Sequence, residues 1–272
     1  MAEKKTSGAL GSSKRRVTGF IQSVDRALSI LEYFTQDKPE AGVSELARGL
    51  GLNKSTAFGL LSTLEMRGYI EQNAETGRYR LGIKALDLYA AKLASFDLAS
   101  VGHPVLVHLA AELGETVHLA IYDRGEVVYI DKVESDNALR IASYIGKRNP
   151  SYCTGVGKCL LAYQPAEEID RVLKSKLEPR TPRTMSDPGL LRAELDKVRR
   201  QGKARDDEEF VLGLVCCAAP IRDREGLVRA AISVSVPTIR ASAERLANFE
   251  AAVSEAADTI SRSLGYSKPN KA

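Results

Sequence analysis

The alternation of apolar and polar positions divides the chain into a short helical half and a longer half that mixes strands with helices. From Ile21 to Phe34, residues Val24, Ala27, Leu28, Leu31 and Phe34 recur at helical spacing, which predicts a first helix ended by Asp37-Lys38-Pro39-Glu40. Val43 to Leu50 predicts a second, shorter helix. Asn53 then offers a side-chain oxygen to the free N–H groups of a new first turn, and Gly68 suits the left-handed residue that stops a helix. Between them Ala57, Leu60, Leu61 and Leu64 make one apolar stripe. At about 100° per residue, the opposite face centres on Ser55, Gly59 and Ser62, with Phe58 beside them. Small, nearly uncharged residues on an outward face let a helix sit deep in a groove. Two short helices joined by a Gly-containing turn form a helix-turn-helix, whose second helix enters the DNA major groove. Tyr69 to Gln72 and Arg78 to Leu81 flank the turn signal Asn73-Ala74-Glu75-Thr76-Gly77, predicting a β-hairpin placed as a wing. Arg78 and Arg80 alternate with Tyr79, so both point to one face, where they can meet phosphate or the minor groove.

Beyond Gly82 the alanine- and leucine-rich run predicts a linker helix over about 83–95, and a further helix runs to Leu113 before Gly114. Strand patterns follow at 116–122 and 126–131 around Asp123-Arg124-Gly125, and at 138–145. Helices are predicted from Thr154 to Ala162, from Asp187 to Arg200 and from Ile239 to Leu264, with strands at 216–222 and 227–236. The fold class expected is α+β: a winged helix-turn-helix domain over 20–82, a linker helix over 83–96, and a ligand-binding domain over 97–268 built on a central antiparallel sheet.

Composition narrows the function classes. The 272 residues are 44% hydrophobic, enough for real cores, and hold no apolar run of membrane-spanning length. The first twenty residues lack the apolar stretch of a secretory signal, so the cytoplasm is the expected compartment. The net charge of +4 resides there too, because Lys4, Lys5, Lys14, Arg15 and Arg16 face only Glu3. We read residues 1–19 as a disordered basic tail, either a phosphate-holding arm or an inert terminus. Cys153, Cys159, Cys216 and Cys217 form no Cys-x-x-Cys pair, and the histidines are His103, His108 and His118. Reduced thiols are expected, with no metal site and no cofactor.

Several blocks together resemble the IclR-type bacterial transcriptional regulators over roughly 21–264. They are Gln22-Ser23-Val24-Asp25-Arg26-Ala27-Leu28, Ser44-Glu45-Leu46-Ala47, Gly51-Leu52-Asn53-Lys54-Ser55-Thr56 and Gly77-Arg78-Tyr79-Arg80-Leu81-Gly82, then Gly114-Glu115-Thr116-Val117-His118-Leu119, Gly157-Lys158, Asp206-Asp207-Glu208-Glu209 and Gly213-Leu214-Val215-Cys216. With Ile145-Gly146-Lys147-Arg148-Asn149-Pro150, the second half resembles the sugar-acid and carboxylate-catabolism branch. The resemblance implies a GAF-like effector domain, dimers that pair into tetramers on operator DNA, and a pocket for a small organic acid such as a sugar, keto or aromatic acid. It places that pocket at Gly155, Val156, Asp206, Cys216, Ser233 and Ser235, with Leu139 and Ile141 as an apolar wall. Free N–H groups at a helix start bind anions, and Ser233 and Ser235 alternate on one strand, so both hydroxyls face one way. The DNA-facing set is Lys54, Ser55, Thr56, Phe58, Gly59, Ser62, Arg78 and Arg80. Two positions depart from the family pattern: Gly59 stands where a large, often basic residue is usual, and Val215 where Arg is common.

Each of these residues also has a plainer reading. Gly59 is then only a weak helix residue, Phe58 part of a core beside the wing, Cys216 a buried strand cysteine, and the run from Asp206 to Glu209 solvated surface. His108 and His118 read as core or surface histidines, and Cys217 as core. Two other functions compete with DNA-binding regulation under effector control. A Cys216 hydrolase with His118 needs a base and an orienting group near the thiol. A thiol redox sensor using Cys216 and Cys217 needs neighbours on a strand to meet, although they point apart. We read no catalytic residue.

Overall fold

The computed structural model describes residues 20–94, 97–135, 137 and 143–267. The basic tail expected over 1–19 lies outside these residues, as do Leu139 and Ile141. Two compact units divide the chain, one spanning Met1–Lys92 and the other Leu93–Ala272.

The first unit opens with α1 (Gln22–Glu32), the two-residue strand β1 (Glu40–Ala41), α2 (Val43–Gly49) and α3 (Lys54–Met66). The Asn53 side chain accepts the Thr56 N–H at 2.8 Å and so starts α3, while Gly68, at φ 74°, lets the chain turn out of it. Strands β2 (Ile70–Gln72) and β3 (Tyr79–Leu81) form the wing hairpin, and β1 adds to the outer side of β3. Ile30, Leu46, Leu61, Ile70 and Tyr79 meet in a core that locks α1 and α2 against α3 and the wing. Helix α4 (Lys84–Ala94) follows.

The second unit starts with α5 (Asp97–Leu113), then β4 (Thr116–Asp123), β5 (Glu126–Val133) and β6 (Arg148–Pro150). A 3-10 turn at Ser151–Cys153 leads into the seven-residue α6 (Gly155–Leu161), followed by α7 (Ala166–Leu173) and α8 (Pro188–Gln201). Strands β7 (Ala204–Asp207), β8 (Leu214–Arg222) and β9 (Val228–Pro237), a second 3-10 turn at Thr238–Arg240 and α9 (Ala243–Ser263) complete it. All pairings in the six-stranded sheet are antiparallel, in the order β6-β5-β4-β9-β8-β7. One face packs Val117, Leu119, Val215, Cys217, Val234 and Val236 against α5 and α9 through Leu106, Leu109, Phe249 and Ile260. The other face receives α6 and α8, with Val156, Leu160, Leu191 and Leu195 beside Ala120, Ala218 and Ala231. Helix covers both faces of the central strands, so β9 is buried whichever way its side chains face from Ala230 to Pro237.

Three expectations need correction. The strand expected over 138–145 falls mostly outside the described residues, and its end is not strand: Ile145 and Gly146 form a turn, and pairing with β5 begins only at Arg148. The last helix starts at Ala243 rather than Ile239, because the Ser242 hydroxyl caps it by accepting the Arg245 N–H at 3.3 Å, and the preceding residues form the 3-10 turn. The acidic run is only partly solvated surface: Asp206 and Glu209 are 2% and 3% exposed, whereas Asp207 is exposed.

Candidate functional site

Ser55, Phe58, Gly59 and Ser62 all lie exposed along α3, with Lys54 exposed at its start and Thr56 half-buried. Phe58 is 56% exposed, so it is not part of the core beside the wing. A Cβ added at Gly59 would meet nothing within 4 Å, so packing within the free protein does not require glycine there. Ser62 and Thr63 return their hydroxyls to the carbonyls of Phe58 and Gly59, so neither leaves a dangling donor in the free helix.

The wing arginines are exposed but already paired. Arg78 donates to the Glu40 carbonyl at 2.9 Å and lies 3.0 Å from the Glu45 carboxylate, which also holds Lys38 at 3.1 Å. Arg80 is 2.6 Å from Glu71 and 3.7 Å from Glu40. Such exposed pairs are weak, and DNA phosphates can replace the carboxylates at small cost.

In the second unit a cavity of about 540 Å³ opens over the sheet face that carries α6. Every strand of the sheet sends a polar or aromatic residue into it: Asn149 from β6, Tyr129 from β5, His118 from β4, Ser233 and Ser235 from β9, Cys216 from β8 and Asp206 from β7. Register aligns them, since Asp206 stands opposite Cys216, Cys216 opposite Ser235, and Ser233 opposite His118. Gly155 and Val156 close one side, with no side chain capping the N-terminus of α6, because the Thr154 hydroxyl turns away to the Pro150 carbonyl. Thus six of the eight sequence-derived pocket positions surround one cavity. Leu139 and Ile141 lie outside the described residues.

The row forms a chain of hydrogen bonds. The Cys216 thiol is 3.1 Å from the Ser235 hydroxyl, which lies 3.5 Å from His118 Nδ1, and His118 Nε2 is 2.7 Å from the Ser143 hydroxyl. The His118 ring also stacks on Tyr129 at 4.7 Å, and the Asn149 amide donates to the Tyr129 hydroxyl. Burial, reinforced by the positive charges of Lys132 and Lys147, holds the His118 pKa down at about 3, so the ring is neutral at physiological pH. Burial raises Asp206 to about 7, helped by the neighbouring Glu209 charge and opposed by the Glu209 N–H that its carboxylate accepts. Burial also lifts the Cys216 thiol well above its ordinary value. A thiol kept protonated beside a neutral imidazole that addresses serine does not make a thiolate nucleophile. Cys217 faces the opposite core, so the adjacent cysteines do not meet.

Beneath the cavity wall lies an arrangement missed in the sequence. Lys158 has no accessible surface; its ammonium bonds Glu209 and lies 3.8 Å from Glu194. The second oxygen of Glu209 is buried without a partner. Gly157-Lys158 and the acidic run are both visible in the sequence, but only the fold brings them together. Among the described residues no cluster of three or more His, Cys, Asp or Glu side chains is arranged to hold a metal ion, and no helix is long and apolar enough to cross a membrane.

Comparison with known proteins places both halves. The model described as the bacterial transcriptional regulator IclR C-terminal matches residues 90–262, and the IclR helix-turn-helix domain matches residues 23–74. The chain is 38% identical over 247 residues to the HTH-type transcriptional regulator XynR of Escherichia coli, covering 90% of this chain and 98% of XynR. It is 37% identical over 247 residues to the HTH-type transcriptional regulator KdgR of the same organism, covering 90% and 94%. Among solved structures, an IclR homolog from Microbacterium hydrocarbonoxydans complexed with 4-hydroxybenzoate is similar with a TM-score of 0.82 at 26% identity, covering 89% of this chain and 98% of that one.

Proposed function

The chain belongs to the IclR family and is a DNA-binding transcriptional regulator, and from that premise we propose that it controls a catabolic operon in response to a small organic acid held in the cavity of its second unit. The division of labour follows: DNA binding over 20–82, a connecting helix over 83–96 and effector binding over 97–268. The observation that carries the effector reading is the continuous row of hydrogen-bonding groups along one sheet face, from Asp206 to Asn149, beside the uncapped N–H groups of Gly155 and Val156. Because α6 has only seven residues, an acid here relies on individual N–H and hydroxyl donors more than on a helix dipole.

Operator recognition requires two copies of α3, one for each half-site. Ile21, Val24 and Leu28 are 61%, 52% and 53% exposed on one side of α1 and its approach, and Ile83, Leu86 and Tyr89 are 72%, 59% and 42% exposed along the start of the connecting helix. These apolar side chains suit burial against a second copy of the chain.

Selection of genomic fragments by the full chain, followed by operator-release titration with organic acids, tests the reading. The expected result is a pseudo-palindromic site from which an acid releases or repositions the protein, and a Ser233→Ala, Ser235→Ala variant that binds the site normally but responds only at much higher acid concentration. An unchanged response in that variant puts the effector elsewhere, and recovery of no specific site refutes the regulator's assigned mode of binding.

A further inference from the structure

The two elements through which a winged helix-turn-helix meets DNA carry no net charge here. Helix α3 holds one cation and one anion, Lys54 and Glu65, and the wing over 70–81 holds two of each, Arg78 and Arg80 with Glu71 and Glu75. Residues 20–94 as a whole contain nine Lys and Arg and nine Asp and Glu. Attraction to the DNA backbone comes from cations that neutralise phosphates and release counterions. A neutral unit supplies little of it.

Pairing lowers the supply further. Arg78 lies 3.0 Å from Glu45, Arg80 2.6 Å from Glu71, Lys38 3.1 Å from Glu45 and Lys84 2.9 Å from Asp87. Four of the nine cations therefore face a carboxylate of their own unit. A phosphate that takes Arg78 or Arg80 leaves Glu45 or Glu71 nearby as a like charge, so each exchange gains less than contact with a free cation.

The whole net charge of +4 sits in residues 1–19, where five cations face Glu3 alone, and residues 20–272 balance. Lys14, Arg15 and Arg16 stand four to six residues before Phe20, where the described chain begins. At most about 13–22 Å of chain separates them from Phe20, close to the roughly 20 Å length of a 13-residue helix such as α3. Tethering at that range keeps them concentrated at any DNA that α3 occupies. Residues 1–19 hold no aromatic side chain and only Met1, Leu10 and Val17 as large apolar ones, a composition suited to phosphate and not to a membrane interface.

We propose that residues 1–19 are a second DNA-binding element, a basic arm whose Lys and Arg side chains hold backbone phosphates beside the site of α3 and supply most of the electrostatic affinity of the chain. The inference needs only that the chain binds DNA, and stands whether or not the second unit takes an acid. Phosphate contacts of this kind respond to charge and carry no base sequence information.

The test compares the full chain with a variant of equal length in which Lys4, Lys5, Lys14, Arg15 and Arg16 are all replaced by Gln. The probe is a random-sequence duplex of about 30 base pairs, titrated by fluorescence anisotropy between about 50 and 200 mM salt. Loss of three to five phosphate contacts should reduce the slope of log affinity against log salt by about 3–4. At a difference of 3, the parent loses roughly 60-fold more affinity than the variant across that range. Melting temperature and assembly size by light scattering should not change. An Arg15→Lys, Arg16→Lys variant should keep the parent's slope and affinity, since charge is retained. A Gln variant whose slope stays within about one unit of the parent's overturns the proposal, because the folded unit then supplies the charge. So does a parent that fails to bind the random duplex in this range. A Gln variant that melts earlier or forms a smaller assembly overturns it by making the segment structural. An Arg-to-Lys variant weakened as much as the Gln variant also overturns it, in favour of contacts that require guanidinium groups.

Discussion

Replacing Lys158 with Met tests the buried charge cluster. Methionine nearly matches the length and apolar bulk of the lysine stem, so the α6 packing survives while the charge is lost. Glu209, 3% exposed and with one carboxylate oxygen already unpartnered, then faces no cation. Removing one partner of a buried pair typically costs about 3–5 kcal/mol. In a unit of this size each kcal/mol lowers the melting temperature by roughly 2–4 °C, so a fall of roughly 6–20 °C is expected at pH 8. Burial already holds the Glu209 pKa above its ordinary value, and losing Lys158 raises it further. A carboxyl whose folded pKa is raised costs nothing below its unfolded pKa, costs progressively more as the pH rises toward its folded pKa, and costs most above that. The deficit should therefore shrink as the pH is lowered from 8 to 5. A Lys158→Met, Glu209→Leu double variant should regain most of the loss, since an apolar pair replaces a buried ionic one with little penalty. The assay is calorimetric or circular-dichroism melting of the full chain at both pH values. A single variant melting within 2 °C of the parent at pH 8 (roughly 1 kcal/mol or less), or a double variant less stable than the single, refutes the reasoning.

Two further outcomes follow from groups described above. Arg78→Ala or Arg80→Ala should weaken specific and non-specific DNA binding alike and flatten the salt dependence of affinity by about one unit of slope or less, because their carboxylate partners already offset part of the charge; relaxed base preference at unchanged slope, measured by anisotropy titration, counts against this. Asp206→Asn should stabilise the second unit more at pH 8 than at pH 5: with its pKa raised to about 7, the native carboxyl keeps its proton while the unfolded one ionises, so its penalty grows as pH rises from about 4 and is complete only above about 7. Denaturant melts showing an equal effect at both pH values contradict it.

The parts of the fold that were legible in the sequence are those set by local chemistry. Asn53 and Gly68 mark the ends of α3 because capping and a left-handed stop involve only neighbouring residues. Asp187 and Gly202 do the same for α8. What escaped depends on distant partners. Strand β1 is two residues long and exists only because Glu40 and Ala41 pair with β3, while β7 exists by pairing with β8. Helix α7 is an exception, since Ile169, Val172 and Leu173 bury one face at i, i+3 and i+4, a spacing legible in the sequence. Of the candidate site, the serine pair could be read from strand alternation, and Asp206, Cys216 and Gly155 from family likeness. The burial of Glu209 could not, because its counter-charge lies 51 residues earlier. Nor could the pairing of Arg78 with Glu45, which joins the wing to α2.

The alternation of the central sheet has a consequence for divergence. Cys216 belongs to the cavity face and Cys217 to the core; Ser233 and Ser235 face the cavity while Val234 and Val236 face α5 and α9. The cavity lining and the helix-packed core thus occupy alternate positions of the same strands. A lineage can exchange one set for another metabolite while leaving the other set untouched, since the two sets point to opposite sides of the sheet and share few contacts. An insertion of one residue within such a strand removes that independence. Unless a bulge absorbs it, as the register shifts between Leu119 and Ala120 and between Ile221 and Arg222 already do in this sheet, it moves every later side chain to the opposite side, placing serines in the core and valines in the cavity.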